Sequence, residues 1–275
     1  ILLDYGLMAA AGGAVFGVTS GTFIAVLILT IIYQCKKKSF YSGSGMEQQP
    51  RPVGTLLWKL LKIAVPITIS ASVLTLTNLI DLALIGIRLD SIQEFLNASP
   101  TELYGMYSAK AVTLYNMPPT LVTSLSLPLV PAVSRAFVLK DYRKAQITIS
   151  QSLKVAMLFE LPCAVGMGVL AVPILELLYG TSDAALLLKL VSPSILFVSM
   201  VLVSNSILQA AGKVWAPVGN IAVAGIAKVL INYSLVGNPA ININGAPIGT
   251  SVCYLIYMSL NLYWVVKVTG TKLPV

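Results

Sequence analysis

Seven apolar runs, each long enough to cross about 30 Å of hydrocarbon, dominate this chain: 7–33, 64–87, 106–133, 155–178, 190–211, 215–236 and 246–266. A soluble domain would have to cover such runs with polar side chains, yet only 10% of the residues are charged, against about a quarter in a typical soluble domain. The expected fold class is therefore all-α, a polytopic membrane helix bundle of about seven transmembrane helices. The first run is too long for a signal peptide, has Asp4 where a basic flank is needed, and continues into Lys36, Lys37 and Lys38.

The net charge of +8 would suggest nucleic acid if the basic residues formed a patch, but they alternate from loop to loop. One set of loops holds Lys36, Lys37, Lys38, Arg51, Lys59 and Lys62, then Arg135, Lys140, Arg143, Lys144 and Lys154, then Lys213, then Lys267 and Lys272; the other set holds only Arg88 and Lys189. This asymmetry implies cytoplasmic basic loops and no nucleic-acid partner. The chain has no histidine, which excludes an imidazole zinc site, a Ser/His/Asp triad and a His proton relay. Cys35, Cys163 and Cys253 are scattered and read as small apolar residues. No catalytic residue and no cofactor are expected.

The longest polar stretch, 36–52, has the Ser, Gly, Gln and Pro content of a linker and follows a single apolar run. After it, Leu56, Leu57, Leu60, Leu61 and Ile63 interleave with Trp58, Lys59 and Lys62, which suggests an amphipathic interfacial helix leading into the second span. With an opening Ile-Leu-Leu-Asp that lacks methionine, this arrangement is expected of an excerpt from a larger protein, the linker joining two helix bundles.

Gly13, Gly17 and Gly21 form a small-residue stripe suited to close helix packing. Gly166-Met-Gly168 with Ala171 imitates a dinucleotide fingerprint, but no strand precedes it, so it reads as chance. Pro118, Pro119, Pro128 and Pro131 interrupt the third run, and Pro66, Pro162, Pro173, Pro193 and Pro217 lie in or at the ends of others. Static kinks and helices that bend during transport are both open.

The strongest functional signal is ionisable residues at membrane depth, each costing roughly 2.5 to 3.5 kcal/mol on insertion scales. Asn78, Asp81 and Arg88 lie near one face of the second run, and Lys228 and Asn232 are spaced i, i+4 on the sixth. An Asp81–Lys228 pair would neutralise both charges, either as a fixed clasp between helices or as a pair that opens and closes with a transport cycle. Lys110, Asn116, Asn205 and Gln209 form a second polar set; Lys110, toward the outer end of the third run, reads as snorkelling. Glu160 has no partner in its own helix, which leaves an interfacial position and a protonated carboxyl both open.

The stretch Tyr104-Gly-Met-Tyr-Ser-Ala-Lys-Ala-Val-Thr-Leu-Tyr-Asn-Met-Pro-Pro-Thr-Leu, continuing to Pro128-Leu-Val-Pro-Ala-Val-Ser-Arg135, resembles the polysaccharide-biosynthesis branch of the MOP flippase superfamily, around stage V sporulation protein B and its lipid II flippase relatives. So do Pro66-Ile-Thr-Ile-Ser with Asn78-Leu-Ile-Asp81, and Ile243-Asn-Gly-Ala-Pro-Ile-Gly-Thr250. The resemblance extends over 58–266 and implies a V-shaped, MATE-like transporter of two lobes. Residues 1–35 would then be the last helix of the first lobe, 36–55 a cytoplasmic inter-lobe linker, and 56–275 the six-helix second lobe with the interfacial helix at its start. The rest of the first lobe would be its partner. The resemblance further implies a flippase that moves a lipid-linked saccharide precursor, such as a lipid II-like peptidoglycan intermediate, across the bacterial plasma membrane by alternating access.

Some lipid II flippases hold sodium in the second lobe. By resemblance Asp81, Asn232 and Thr250 fit positions of that site, with Ala246 a candidate carbonyl, but Lys228 departs from the pattern. The expectation is that its ammonium stands in for sodium and that no metal is bound. Arg88 and Lys110 are local candidates for contacting substrate, with Asn116, Asn205 and Gln209. The alternatives are a cation-coupled multidrug exporter, which would want a compact aromatic-walled cavity, and a membrane assembly factor with no transport. A membrane glycosyltransferase would need a metal-binding acidic cluster, and Asp90, Glu94 and Glu102 lack the spacing for one.

Overall fold

A computed structural model describes residues 7–42, 53–92 and 98–270. Among them there is no strand. Ten α-helices follow in order: α1 (Leu7–Ser42), α2 (Val53–Asp90), α3 (Pro100–Gly105), α4 (Thr113–Val138), α5 (Tyr142–Val169), α6 (Ala171–Tyr179), α7 (Ala185–Val191), α8 (Pro193–Ala210), α9 (Trp215–Val236) and α10 (Gly245–Thr269). A π-helical segment, Met106–Val112, joins α3 to α4, and a 3₁₀ turn, Asn242–Asn244, precedes α10. Contacts divide the chain into two units, 1–56 and 57–275.

Each of the seven apolar runs falls on helix. Among the described residues α5, α8, α9 and the stretch Asn242–Thr269 are long and apolar enough to cross a bilayer, and a fifth span is counted if the bent pair Pro100–Ser124 and Pro128–Val138 is taken as one. The protein is a multi-pass membrane protein. Two spans differ from the runs expected for them. The fourth begins at Tyr142, not 155, because Asp141 caps the first turn by accepting from the Lys144 N–H at 3.0 Å, so the polar stretch 142–154 is helical too. That span ends at Val169, and the residues up to Tyr179 form the separate α6, closed by left-handed Gly180. The fifth run is likewise divided, at Ser192 ahead of Pro193, into α7 and α8.

Of the expected linker, 36–42 continues α1 and 53–55 opens α2, while 43–52 lies outside the described residues. The stretch expected as a separate interfacial helix is the start of α2 and continuous with its span. In unit 1, α1 exposes Phe16, Phe23 and Leu29, as a lipid-facing helix does. A Cβ at Gly17 or Gly21 would have nothing within 4 Å among the described residues.

Unit 2 packs α4, α5 and α10 around α8, the most enclosed of the spans, and α9 against α10. One apolar core joins Ile85 and Leu89 of α2 to Leu114, Leu188 and Ile195; a second joins Val122, Val133, Ile149, Leu153, Ile207 and Val265. Leu158, Val169 and Leu177 point outward, as expected where the solvent is hydrocarbon. Gly168 allows close packing: a Cβ there would meet the Ser192 hydroxyl at 2.8 Å. That accounts for the fingerprint-like Gly166-Met-Gly168 without a nucleotide.

Candidate functional site

Asp81 lies on α2 nine residues before the helix ends at Asp90, and α9 places Lys228 and Asn232 one turn apart on the face that meets it. The Lys228 ammonium is ion-paired with the Asp81 carboxylate, and the Asn232 side-chain N–H donates to the same carboxylate at 2.9 Å. All three side chains are buried. Two donors thus converge on one carboxylate, which satisfies it by charge and by hydrogen bond together. The Asn232 Oδ1 is buried with no hydrogen-bond partner and lies against the α10 backbone, where a Cβ on Gly249 would collide with it. Glycine at 249 is therefore what lets α10 approach α9 this closely.

Thr250, the next residue on α10, shares a hydrogen bond with the Tyr107 hydroxyl at 3.0 Å. Tyr107 is on the π-helical segment, a distortion that re-aims side chains and often marks functional sites. A cavity of about 320 Å³ opens between these elements. Asp81, Lys228 and Thr250 form its charged and hydroxyl floor, Tyr104, Tyr107, Tyr115 and Tyr254 its aromatic walls, and Ser108 and Asn116 its polar edge.

The structure brings together four of the expected residues, Asp81, Lys228, Asn232 and Thr250, and places Asn116 at the cavity edge. The side chain of Asn78 lies outside the described residues. Arg88 is engaged elsewhere: its guanidinium stacks 4.2 Å from the Tyr233 ring centre, donates to the Tyr233 carbonyl at 3.1 Å, and fills the space a Cβ on Gly237 would need. Lys110 donates to both Asp183 carboxylate oxygens at 2.7 Å and to the Thr181 hydroxyl at 2.8 Å. The Lys110 ammonium beside Asp183 holds that carboxyl below the usual carboxylate range. Asn205 belongs to a separate cluster with Tyr257 and Asn261, and Gln209 is half-buried near the end of α8. The four tyrosines and Gly249 were not singled out as site residues; the signal for the tyrosines is Tyr104, Tyr107 and Tyr115 recurring in one otherwise apolar stretch.

The lipid II flippase MurJ family matches residues 2–273. The chain belongs to that family. Among curated relatives it is 24% identical over 275 residues to stage V sporulation protein B of Bacillus subtilis (strain 168), covering all of this chain and 53% of the relative. It is 24% identical over 263 residues to the lipid II flippase MurJ of the same organism, covering 91% of this chain and 46% of the relative. The chain thus spans about half the length of the curated relatives it matches. A multidrug resistance MATE family transporter of the MOP superfamily, in an outward-facing conformation, superposes with a TM-score of 0.62 at 16% identity, over 78% of this chain and 46% of its own. A MOP superfamily transporter from Pyrococcus furiosus gives the same TM-score at 15% identity and the same coverage. This MurJ-family chain therefore has the fold of MOP superfamily transporters, and its named relatives include a lipid II flippase.

Among the described residues no three Asp, Glu, Cys or His cluster as metal ligands. At Asp81 the carboxylate is met by two donors, the Lys228 ammonium and the Asn232 amide N–H, so the charge a sodium ion would bring there is already supplied by Lys228.

Proposed function

We propose that this chain is the second lobe of a flippase that moves a lipid-linked saccharide precursor across the bacterial plasma membrane by alternating access, its basic loops facing the cytoplasm. The observation that carries the reading is a buried Asp81–Lys228 pair at the floor of a tyrosine-lined cavity in a MurJ-family bundle. Tyrosine faces and amide edges suit sugar rings, and a lysine that can leave its carboxylate suits the phosphate of an anionic headgroup. When the pair is closed the site is neutral and the helices can cross hydrocarbon; when an anion draws Lys228 away, Asp81 keeps the amide of Asn232. Lys228 acts here as a built-in cation, so this lobe needs no sodium.

The test is flipping of a fluorescent lipid-linked saccharide by the full-length protein in liposomes, with and without sodium, for wild type and Lys228→Ala. The expected result is sodium-independent flipping by wild type and either inactivity or a new sodium requirement in the variant. Sodium dependence of wild type, or normal flipping by Lys228→Ala, would sink the proposal. A second reading, a multidrug exporter, is favoured by the compact aromatic cavity. It is distinguished by export of a cationic dye, which the resident ammonium disfavours.

A further inference from the structure

Glu160 sits on α5, nine residues before the helix ends at Val169, or about 14 Å along its axis. It is fully buried, and neither carboxyl oxygen has a hydrogen-bond partner. Its neighbours Leu158, Leu161 and Val165 face outward instead.

The polar side chain facing it across the seam is Ser199 of α8, a helix with no ionisable residue. Ser199 donates to the Ile195 carbonyl at 2.9 Å, and the same single hydroxyl proton is the one it can turn toward Glu160. The other elements packed on α5 carry Arg135 (α4), Glu176 (α6), Lys189 (α7) and Lys267 (α10) as their charged groups, and among the described residues none is ion-paired with Glu160. Of the tyrosines on those elements, Tyr115 and Tyr254 line the cavity at Asp81, Tyr179 donates to the Ala109 carbonyl, Tyr257 bonds to Asn205, and Tyr263 is exposed. Cys163 is the nearest titratable group on α5 itself.

A carboxylate in this place would have no counter-charge and at most the one Ser199 hydroxyl as donor, a costly way to bury an acid. A carboxylic acid is uncharged and can donate its own proton to the Ser199 oxygen, which leaves the Ser199 hydroxyl on the Ile195 carbonyl. We propose that Glu160 is a proton-binding site, occupied whenever the α5–α8 seam is closed. Water admitted to an opened seam takes the proton as hydronium and stabilises the carboxylate; closing returns a proton to the same oxygen, with no other bond made or broken. Pro162, two residues on, leaves the Leu158 carbonyl without its helical N–H and gives α5 a weak point at this depth. The inference concerns closure of the seam and does not depend on which substrate is moved.

Infrared difference spectra of the full-length protein in bilayers test it, comparing wild type with Glu160→Gln at neutral pH. The expected result is a protonated-carboxyl C=O band in wild type that is lost in Glu160→Gln and displaced, not lost, in Glu160→Asp. Loss of a carboxylate band instead, or no difference, overturns the proposal. If Glu160→Gln does not fold, the wild type against Glu160→Asp comparison decides alone: a displaced acid band supports the site, and an unchanged acid region refutes it.

Discussion

Helices α9 and α10 carry two buried polar sites of opposite character. In one, the Asn220 side-chain N–H donates to Asn261 Oδ1 at 2.7 Å, Asn261 donates to Asn205 at 2.7 Å, and Asn205 bonds to the Tyr257 hydroxyl at 3.1 Å. This network is neutral and ties α8, α9 and α10 together. In the other, Lys228, Asn232 and Thr250 meet Asp81 of α2, with full opposite charges, one orphaned oxygen and a cavity in front. Neutral amides suffice to hold these helices, since side-chain hydrogen bonds between membrane helices contribute about 0.6 kcal/mol each. Charges are not needed for adhesion, so their presence at the second site points to work that requires a separable pair.

The sharpest way to break that comparison is to replace the pair. Asp81→Leu or Lys228→Met alone leaves an uncompensated buried charge and is expected to lower stability by about 3 to 5 kcal/mol. The Asp81→Leu/Lys228→Met double variant is expected to recover most of that loss, with a large coupling in the double-mutant cycle, while flipping stays abolished. Unfolding in bilayers or mild detergent reads the first part and the liposome assay the second. A stable double variant that still flips would make the pair another clasp, no different in kind from the asparagines.

Two smaller changes sharpen the contrast. Gly249→Ala forces a methyl group into the Asn232 amide and should cost about 1 to 3 kcal/mol, relieved when Asn232→Ala is added. If thermal melts show no such relief, the close approach of α10 is not what requires glycine. Asn261→Leu removes the centre of the neutral network, three side-chain hydrogen bonds at about 0.6 kcal/mol each, and should cost about 2 kcal/mol, with flipping preserved in the folded fraction. Flipping lost at full stability would show that the neutral network also takes part in the cycle.

How legible these features were in the sequence follows their physics. The run 215–236 coincides with α9 because the helix is apolar nearly throughout and stops at Gly237. The start of α5 was missed because 142–154 is polar, and hydropathy detects contact with lipid, not helix; Asp141 followed by Lys144 was the available capping signal. Asp81, Lys228 and Asn232 stood out because a charge in hydrocarbon is expensive enough to need a reason. Their contact partners were less legible: Lys110 meets Asp183 across 73 residues and Arg88 meets Tyr233 across 145, distances at which helical periodicity carries no information. Glu160 was visible as an ionisable residue, but α5 is apolar on every side around it, so no pattern told which way it faces.

The smallest expected effect is at Asp183, the surface counterpart of the buried pair. It is 39% exposed, so solvent screens its bond to Lys110, and the pair should contribute no more than about 1 kcal/mol. Because the Lys110 ammonium holds the folded carboxyl below its unfolded value, that contribution is present in full above the unfolded carboxylate range and is lost as pH falls through the folded value. The melting temperature of wild type relative to Asp183→Asn should therefore be constant at neutral pH and shrink below about pH 4. Added salt should narrow the same gap at neutral pH, whereas the Asp81–Lys228 coupling, shielded from ions, should not respond. Equal salt sensitivity at both pairs would mean that water reaches Asp81 and Lys228 as freely as it reaches Asp183, and the contrast between a buried switch and a surface bridge would be lost.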